Sequence, residues 1–393
     1  AHVHEAVAAA SPDRAAVIWG DRQWTYKELT DRSRRFANAL LARGITVHRE
    51  RSELAGHESG QDHVALYLHN GNEYIEAMLG SFKARAVPFN VNYRYVAEEL
   101  QYLLNNSAAK AIVYHATFAP ILSEVLDDLD GVELLVQVAD DSGNALLEGA
   151  VDYEELLASA SGDRPDVELS PDDLYILYTG GTTGMPKGVL WRQHDIFISA
   201  MGGRPFGQPD AFEDLDAVLA AAASGGAAMM SAAPLMHGAA QWACFTAFTN
   251  GNTVTMPAET RTMDPVDVWS TVEKHKVLTL QIVGDAMGRP LVEELDANDY
   301  DLSGFLALVS GGAALSSTLK DRFLEHSPHS IVIDAVGSSE TGAQMGHTSV
   351  KGATATGTFQ PGPETSVVAA DLSVELQPGS TETGWLAQRG HVP

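Results

Sequence analysis

Short β-rich apolar runs alternate with helical patterns along most of this chain, and no other feature restricts its fold so strongly. Residues 64–69 (VALYLH) read as a strand, 72–84 as a helix, 87–91 as a strand and 96–104 as a helix. Residues 111–115 and 132–138 continue the strand series. After a loop rich in Ser, Asp and Pro at 158–173, the alternation resumes with a strand at 174–179 and a helix from about His194. A helix from an Asp264 N-cap to Lys274, strands at 277–283, 306–309 and 330–336, and a helix from Ser316 to Glu325 complete the series. Apolar runs separated by helices of this length are βαβ units, which build a parallel sheet covered on both faces. From about Lys351 the helical signals stop, and residues 367–370 and 374–376 flank a polar turn, as at the start of a β-rich module. The expected organisation is α/β, with two doubly wound subdomains at 1–165 and 166–347 and a β-rich unit at 348–393.

A chain of 393 residues is too long for one simple core, which agrees with several packed units. Its 25 Lys and Arg against 52 Asp and Glu leave a formal charge of −27, which repels phosphate backbones and argues against a nucleic-acid partner. Cys244 is the single cysteine, so no intrachain disulfide forms and a reducing, cytoplasmic setting is expected. Residues 217–236 carry no charge and are long enough to span a bilayer. They are mostly Ala, however, with Gly225, Gly226 and Pro234 inside, and read better as a packed interior segment. No transmembrane segment is expected; peripheral membrane contact and a dimer remain open.

The chemistry concentrates at Tyr178-Thr179-Gly180-Gly181-Thr182-Thr183-Gly184-Met185-Pro186-Lys187-Gly188. Free backbone N–H groups, the Thr179, Thr182 and Thr183 hydroxyls and the Lys187 charge suit a polyphosphate, and the glycines permit its close approach. The loop is expected to follow a strand and to lead into a helix. It is not a Walker A loop, because Pro186 precedes Lys187 and Gly188 follows it. A G-x-G dinucleotide fingerprint and a G-x-S-x-G nucleophile elbow are both absent from the sequence.

This segment resembles the phosphate-binding signature of the adenylate-forming superfamily of acyl-CoA synthetases, luciferases and peptide-synthetase adenylation domains. Ser310-Gly311-Gly312-Ala313-Ala314-Leu315-Ser316 resembles that family's adenine-side loop, and Val336-Gly337-Ser338-Ser339-Glu340-Thr341 its aromatic-Gly-x-Thr-Glu motif. Pro234-Leu235-Met236-His237 resembles the segment at the acyl pocket, and the flanks VLWRQHDIF and GSSETGAQMG resemble bacterial fatty-acyl-CoA synthetases. The resemblance implies the large domain of such an enzyme. A fatty or other bulky apolar acid would be activated with ATP to acyl-AMP, then passed to coenzyme A.

It also implies roles. Thr179, Gly180, Gly181, Thr182, Thr183, Gly184 and Lys187 would hold the β- and γ-phosphates, with Thr183, Lys187, His237 and Glu340 as the catalytic set. Gly311, Gly312, Ala313, Val336, Gly337, Ser338 and Ser339 would line the nucleotide, Ser339 near the α-phosphate, and Glu340 would bind Mg²⁺ as a hard carboxylate ligand. His237, Gly238, Trp242, Gly284 and Met287 would form the substrate pocket. Val336 and Gly180 depart from the family pattern, which has an aromatic stacking residue and often a Ser there. The ribose-binding Asp, the hinge and the lid domain with its catalytic Lys would all come after Pro393. No acid lies near His237 to hold an α-amine, so an amino acid is not the expected substrate; a fatty acid and a sterol side-chain acid both fit. A fatty-acyl-AMP ligase feeding a carrier protein, or a nucleotide-binding module without turnover, stand as alternatives.

Overall fold

The computed structural model describes residues 1–180, 184–205 and 207–393. The N-terminal part contains α1 (His2–Ala10), β1 (Ala15–Trp19), β2 (Arg22–Thr25) and α2 (Tyr26–Leu41). Next come β3 (His63–Tyr67), α3 (Asn72–Lys83), β4 (Val87–Asn90), α4 (Ala97–Asn106), β5 (Ala109–His115), α5 (Ala119–Ser123), β6 (Leu134–Val138), β7 (Ala150–Asp152) and α6 (Tyr153–Ser159). The middle holds β8 (Leu174–Thr179), β9 (Lys187–Arg192), α7 (Gln193–Ala200), α8 (Leu215–Ala223), β10 (Ala228–Ser231), α9 (Gly238–Thr249) and β11 (Thr253–Met256). The remainder is α10 (Pro265–His275), β12 (Thr279–Ile282), α11 (Gly284–Ala297), β13 (Ala307–Gly311), α12 (Ser317–His326), β14 (Ile331–Ser338), β15 (Gly342–Ser349), β16 (Gln360–Pro361), β17 (Thr365–Ala369) and β18 (Gly384–Gln388).

Two sheets carry the fold. The first runs β7-β6-β5-β3-β4-β8-β9, parallel except for β9. The second runs β16-β15-β14-β13-β12-β10-β11-β1-β2, with a parallel centre and antiparallel edges. Strands β17 and β18 form a separate hairpin. Sheet membership crosses the boundary expected at 165/166: β8 and β9 complete the first sheet, and β1 and β2 close the edge of the second.

One apolar cluster joins the sheets through α2, α3 and α9, a second covers the outer face of the nine-stranded sheet under α10 to α12, and a third covers the outer face of the seven-stranded sheet under α4. Helix α3 lies in the middle and every one of its residues is buried. Two of its ionisable groups, Lys83 and Glu76, are paired there, whereas burial and then the Glu76 carboxylate push Glu73 up to about 7. Lys83 Nζ donates to Ser33 Oγ at 2.8 Å and to Glu5 Oε1 at 2.6 Å, and Glu76 accepts from Arg32, Asn72 and Tyr153.

Two expectations change. The glycine-rich loop does not lead directly into a helix: β9 pairs antiparallel with β8, Thr179 opposite Lys187, so the loop is the tip of a hairpin and α7 follows one strand later. A lysine in the first position of a return strand is thereby fixed relative to the threonine that ends the outgoing one. The uncharged stretch at 217–236 is helix α8, a glycine turn and strand β10, and among the described residues no helix is long and apolar enough to cross a membrane.

Candidate active site

A cavity of about 710 Å³ opens where the hairpin of the first sheet meets the carboxyl ends of the second sheet's strands. Crevices at such strand ends are where open α/β sheets bind ligands. The cavity brings together Thr179 and Gly180 of the hairpin, Gly311 at the end of β13 and Gly312 after it, Val336, Gly337, Ser338 and Ser339 around the end of β14, and His237, Gly238 and Trp242 at the start of α9. Gly184 and Lys187 are exposed beside it rather than in its wall. Gly181, Thr182 and Thr183 lie outside the described residues.

Each loop is held by its own braces. Strand β14 turns into β15 through 338–341, where Gly337 passes so close to the return strand that a Cβ would sit 2.2 Å from the Gly342 carbonyl. The fully buried Trp191 of β9 donates its indole N–H to the Ser339 carbonyl at 2.7 Å, tying this turn to the β8–β9 hairpin. Ser338 and Thr341 join their hydroxyls at 2.9 Å, and the Glu340 N–H donates to Ser338 Oγ at 3.3 Å, leaving the Glu340 carboxylate exposed. Among the described residues no group of three or more His, Cys, Asp or Glu converges to cage a metal. One exposed carboxylate beside a phosphate loop still suits Mg²⁺, which takes one or two carboxylates plus phosphate oxygens.

Gly284 and Met287, expected in the substrate pocket, are not in the wall of this cavity. Gly284 adopts φ +51°, and a Cβ there would lie 2.7 Å from Ala313 Cβ and the Ala314 carbonyl. Its N–H donates to Ser310 Oγ at 3.1 Å, the Asp285 N–H to the Ala314 carbonyl at 3.0 Å, and Asp285 Oδ1 accepts from the Ser316 N–H at 2.6 Å. The start of α11 therefore braces the 310–316 loop. Met287 packs into the outer core under α11 and α12 instead. Ala313 is exposed beyond the cavity wall.

His237 is the N-cap residue of α9 and is exposed at the cavity mouth. Loss of hydration on its inner side and then the Arg94 guanidinium lower the imidazole pKa, so the ring is neutral at pH 7. Sequence reasoning missed Asn90. It is buried at the end of β4, with Nδ2 donating to the Tyr178 carbonyl at 2.8 Å and the Met236 carbonyl at 2.7 Å, while Oδ1 accepts from the Tyr178 N–H at 2.8 Å. One amide thus clamps the strand entering the hairpin to the segment before His237. A polar residue inside the apolar run 87–91 was the available signal. Gln241 does similar work, joining the Tyr175 and Tyr74 hydroxyls and the Leu235 carbonyl. Cys244 lines the cavity, and burial pushes its thiol up to about 12.

Comparison with known proteins agrees with this arrangement. The chain is 53% identical over 392 residues to Medium-chain acyl-CoA ligase Mig of Mycobacterium avium, covering all of this chain and 71% of that protein. It is 39% identical to a medium/long-chain-fatty-acid–CoA/3-oxocholest-4-en-26-oate–CoA ligase of Mycobacterium tuberculosis, covering 98% of this chain and 68% of that one. The fold matches a long-chain-fatty-acid-CoA ligase from Archaeoglobus fulgidus with a TM-score of 0.78 at 21% identity, over 99% of this chain and 74% of that chain. It also matches the N-terminal domain of FACL13 from Mycobacterium tuberculosis with a TM-score of 0.72 at 22% identity, over 95% and 85% of the two chains. Residues 4–391 match the AMP-binding enzyme family, and the chain belongs to it.

Proposed function

We propose that this protein is an acid–thiol ligase that activates a fatty acid with ATP and passes the acyl group to coenzyme A. The observation that carries the reading is a single cavity that joins the Thr/Gly hairpin and the 311–312 and 336–339 loops to an apolar slot beside α9. In the first step the fatty carboxylate attacks the α-phosphorus in line, forming the acyl–phosphate bond and releasing pyrophosphate. In the second the coenzyme A thiolate attacks the acyl carbonyl and AMP departs. Little covalent work falls to the protein, so positioning and charge neutralisation dominate.

Thr179, Gly180 and Lys187, with Gly181, Thr182, Thr183 and Gly184, hold the β- and γ-phosphates. Gly311 and Gly312 run along the adenine, Ala313 beyond them, and Ser339 faces the α-phosphate. Glu340 holds Mg²⁺, whose charge would offset that of the phosphates when bound. His237 is neutral and stands where the acyl carboxylate must pass, so it can donate a hydrogen bond to it or accept one from the incoming thiol. A cytoplasmic enzyme is the setting that a need for ATP and coenzyme A supports.

The test is acid-dependent exchange of pyrophosphate into ATP, run beside a coenzyme A thioester assay on the full-length natural protein. Both should respond to fatty acids. Exchange without thioester would favour an acyl-AMP ligase serving a carrier protein, and absence of exchange with every acid would sink the reading.

A further inference from the structure

The strand register gives the apolar part of the cavity a measurable depth. On the face of the second sheet toward α9, three rows of residues line it. Val283, Gly311 and Ala335 form the row nearest the nucleotide loops, Ser231, Gln281 and Val309 the next, and Val254, Met229 and Thr279 the deepest. From Gly311 to the deepest row is four residues along a strand, or about 13 Å. The opposite wall agrees. Helix α9 starts at the mouth with Gly238 and presents Ala239, Ala243 and Ala247 to the cavity, and the nine residues from Gly238 to Ala247 advance about 13.5 Å.

The deep end is braced. Asn252 follows α9, its N–H donating to the Ala247 carbonyl at 2.9 Å, and its Nδ2 contacts Met229 Sδ at 3.3 Å. Met229 is thereby held across the slot beside Val254. The polar rung in the middle is already satisfied: Ser231 Oγ donates to Gln281 Oε1 at 2.9 Å, and Gln281 Nε2 donates to the Ala239 carbonyl at 3.1 Å. An acyl tail passing this rung meets paired groups.

We infer that this slot is a length gauge for an acyl tail of about ten carbons, with Met229 as its floor and Ala243 and Ala247 as its steps. A C–C bond of about 1.52 Å at an angle of about 111° advances about 1.25 Å per carbon, so a 13 Å slot takes about ten. Each turn of α9 is worth about 5.4 Å, or about four carbons. Alanine at both steps leaves the whole depth open. The inference rests on the ligase reading above but concerns only where the tail ends.

The experiment measures two quantities for saturated acids of 4 to 18 carbons (about one to two slot lengths at the upper end) with the full-length natural protein. These are kcat/KM for pyrophosphate exchange, and displacement of a fluorescent fatty acid, which needs no catalysis. The wild-type optimum should fall near ten carbons. Ala243→Phe and the milder Ala243→Val should move it to shorter acids, Ala243→Phe lowering kcat/KM for a ten-carbon acid by about 250-fold relative to a six-carbon one, at about fourfold for each of the four lost methylene contacts. Met229→Ala should move the optimum the other way. If Ala243→Phe fails to fold, Ala243→Val and Met229→Ala decide the matter. Folded variants whose length profiles superimpose on the wild type would overturn the gauge. If exchange is absent with every acid, the ligase reading fails, and the displacement profile alone then upholds or overturns the gauge.

Discussion

The two ends of the cavity are built on opposite principles. At the nucleotide end, backbone does the work: the 310–316 loop is braced by Gly284 and Asp285, the 338–341 turn by Trp191, and the hairpin entry by Asn90. At the acyl end, small apolar side chains line a slot by leaving space, and only its depth is controlled. A braced site tolerates almost no substitution, because each polar brace lost leaves a buried group unpaired. An apolar slot tolerates many substitutions, because volume rather than geometry decides what fits. Mutations should therefore abolish activity at one end and re-tune it at the other.

The sharpest way to break that contrast is Gly337→Val. Its side chain would overlap the Gly342 carbonyl and displace the turn that carries Ser339 and Glu340. Adenylation should drop by about a thousandfold, the scale of losing a preorganised polar site, as read by pyrophosphate exchange. Near-normal exchange would show that the turn is pliable.

Asn90→Ala should come next. It strips partners from two carbonyls and one N–H in a buried clamp, a cost of about 2 kcal/mol or a thirtyfold loss in kcat/KM. Asn90→Asp should not restore activity, since a carboxylate cannot donate to the carbonyls of Tyr178 and Met236. A full recovery in that variant would contradict the clamp.

Lys187→Ala should lower exchange by about tenfold, one charge-assisted contact, and leave the melting temperature unchanged because the side chain is exposed. Glu340→Gln should act more gently still, raising the Mg²⁺ concentration needed for half-maximal exchange without altering thermal stability. An unchanged Mg²⁺ titration would leave Glu340 a solvated carboxylate.

The smallest effect concerns Cys244 in the slot wall. With its thiol pushed up to about 12, Cys244 is protonated through the physiological range. Only about one molecule in ten thousand carries the thiolate at pH 8, so alkylation of the native protein should be slow and should accelerate on unfolding. Rapid labelling of folded protein would mean that the slot is wetter than its lining suggests.

The same contrast explains what could be read in advance. The Thr/Gly-rich run after β8, the 310–316 loop and the 336–341 motif stood out because backbone-built sites need glycine, threonine and a fixed order of small residues, although the return strand β9 did not. The alternation of strands and helices was legible because burial imposes a period. Gly284 and Met287 fall outside the wall of this cavity, which the letters could not show, because small or flexible residues near a motif look the same whether they line a cavity or brace a loop. Only Gly284's left-handed φ and its contact with Ala313 tell the two apart.

By itself, then, the sequence determined the α/β class, the Thr/Gly-rich run at 179–184 as a chemical unit and the lack of any acid beside His237. Tertiary structure alone decided that β8 and β9 join the first sheet, that Asn90 clamps two segments far apart in the chain, and that the rows of Met229, Gln281 and Gly311 set a depth. Local chemistry depends on residue type and near neighbours, which a sequence carries letter by letter. Depth and bracing depend on register between strands distant in the chain, and register exists only once the sheets have formed.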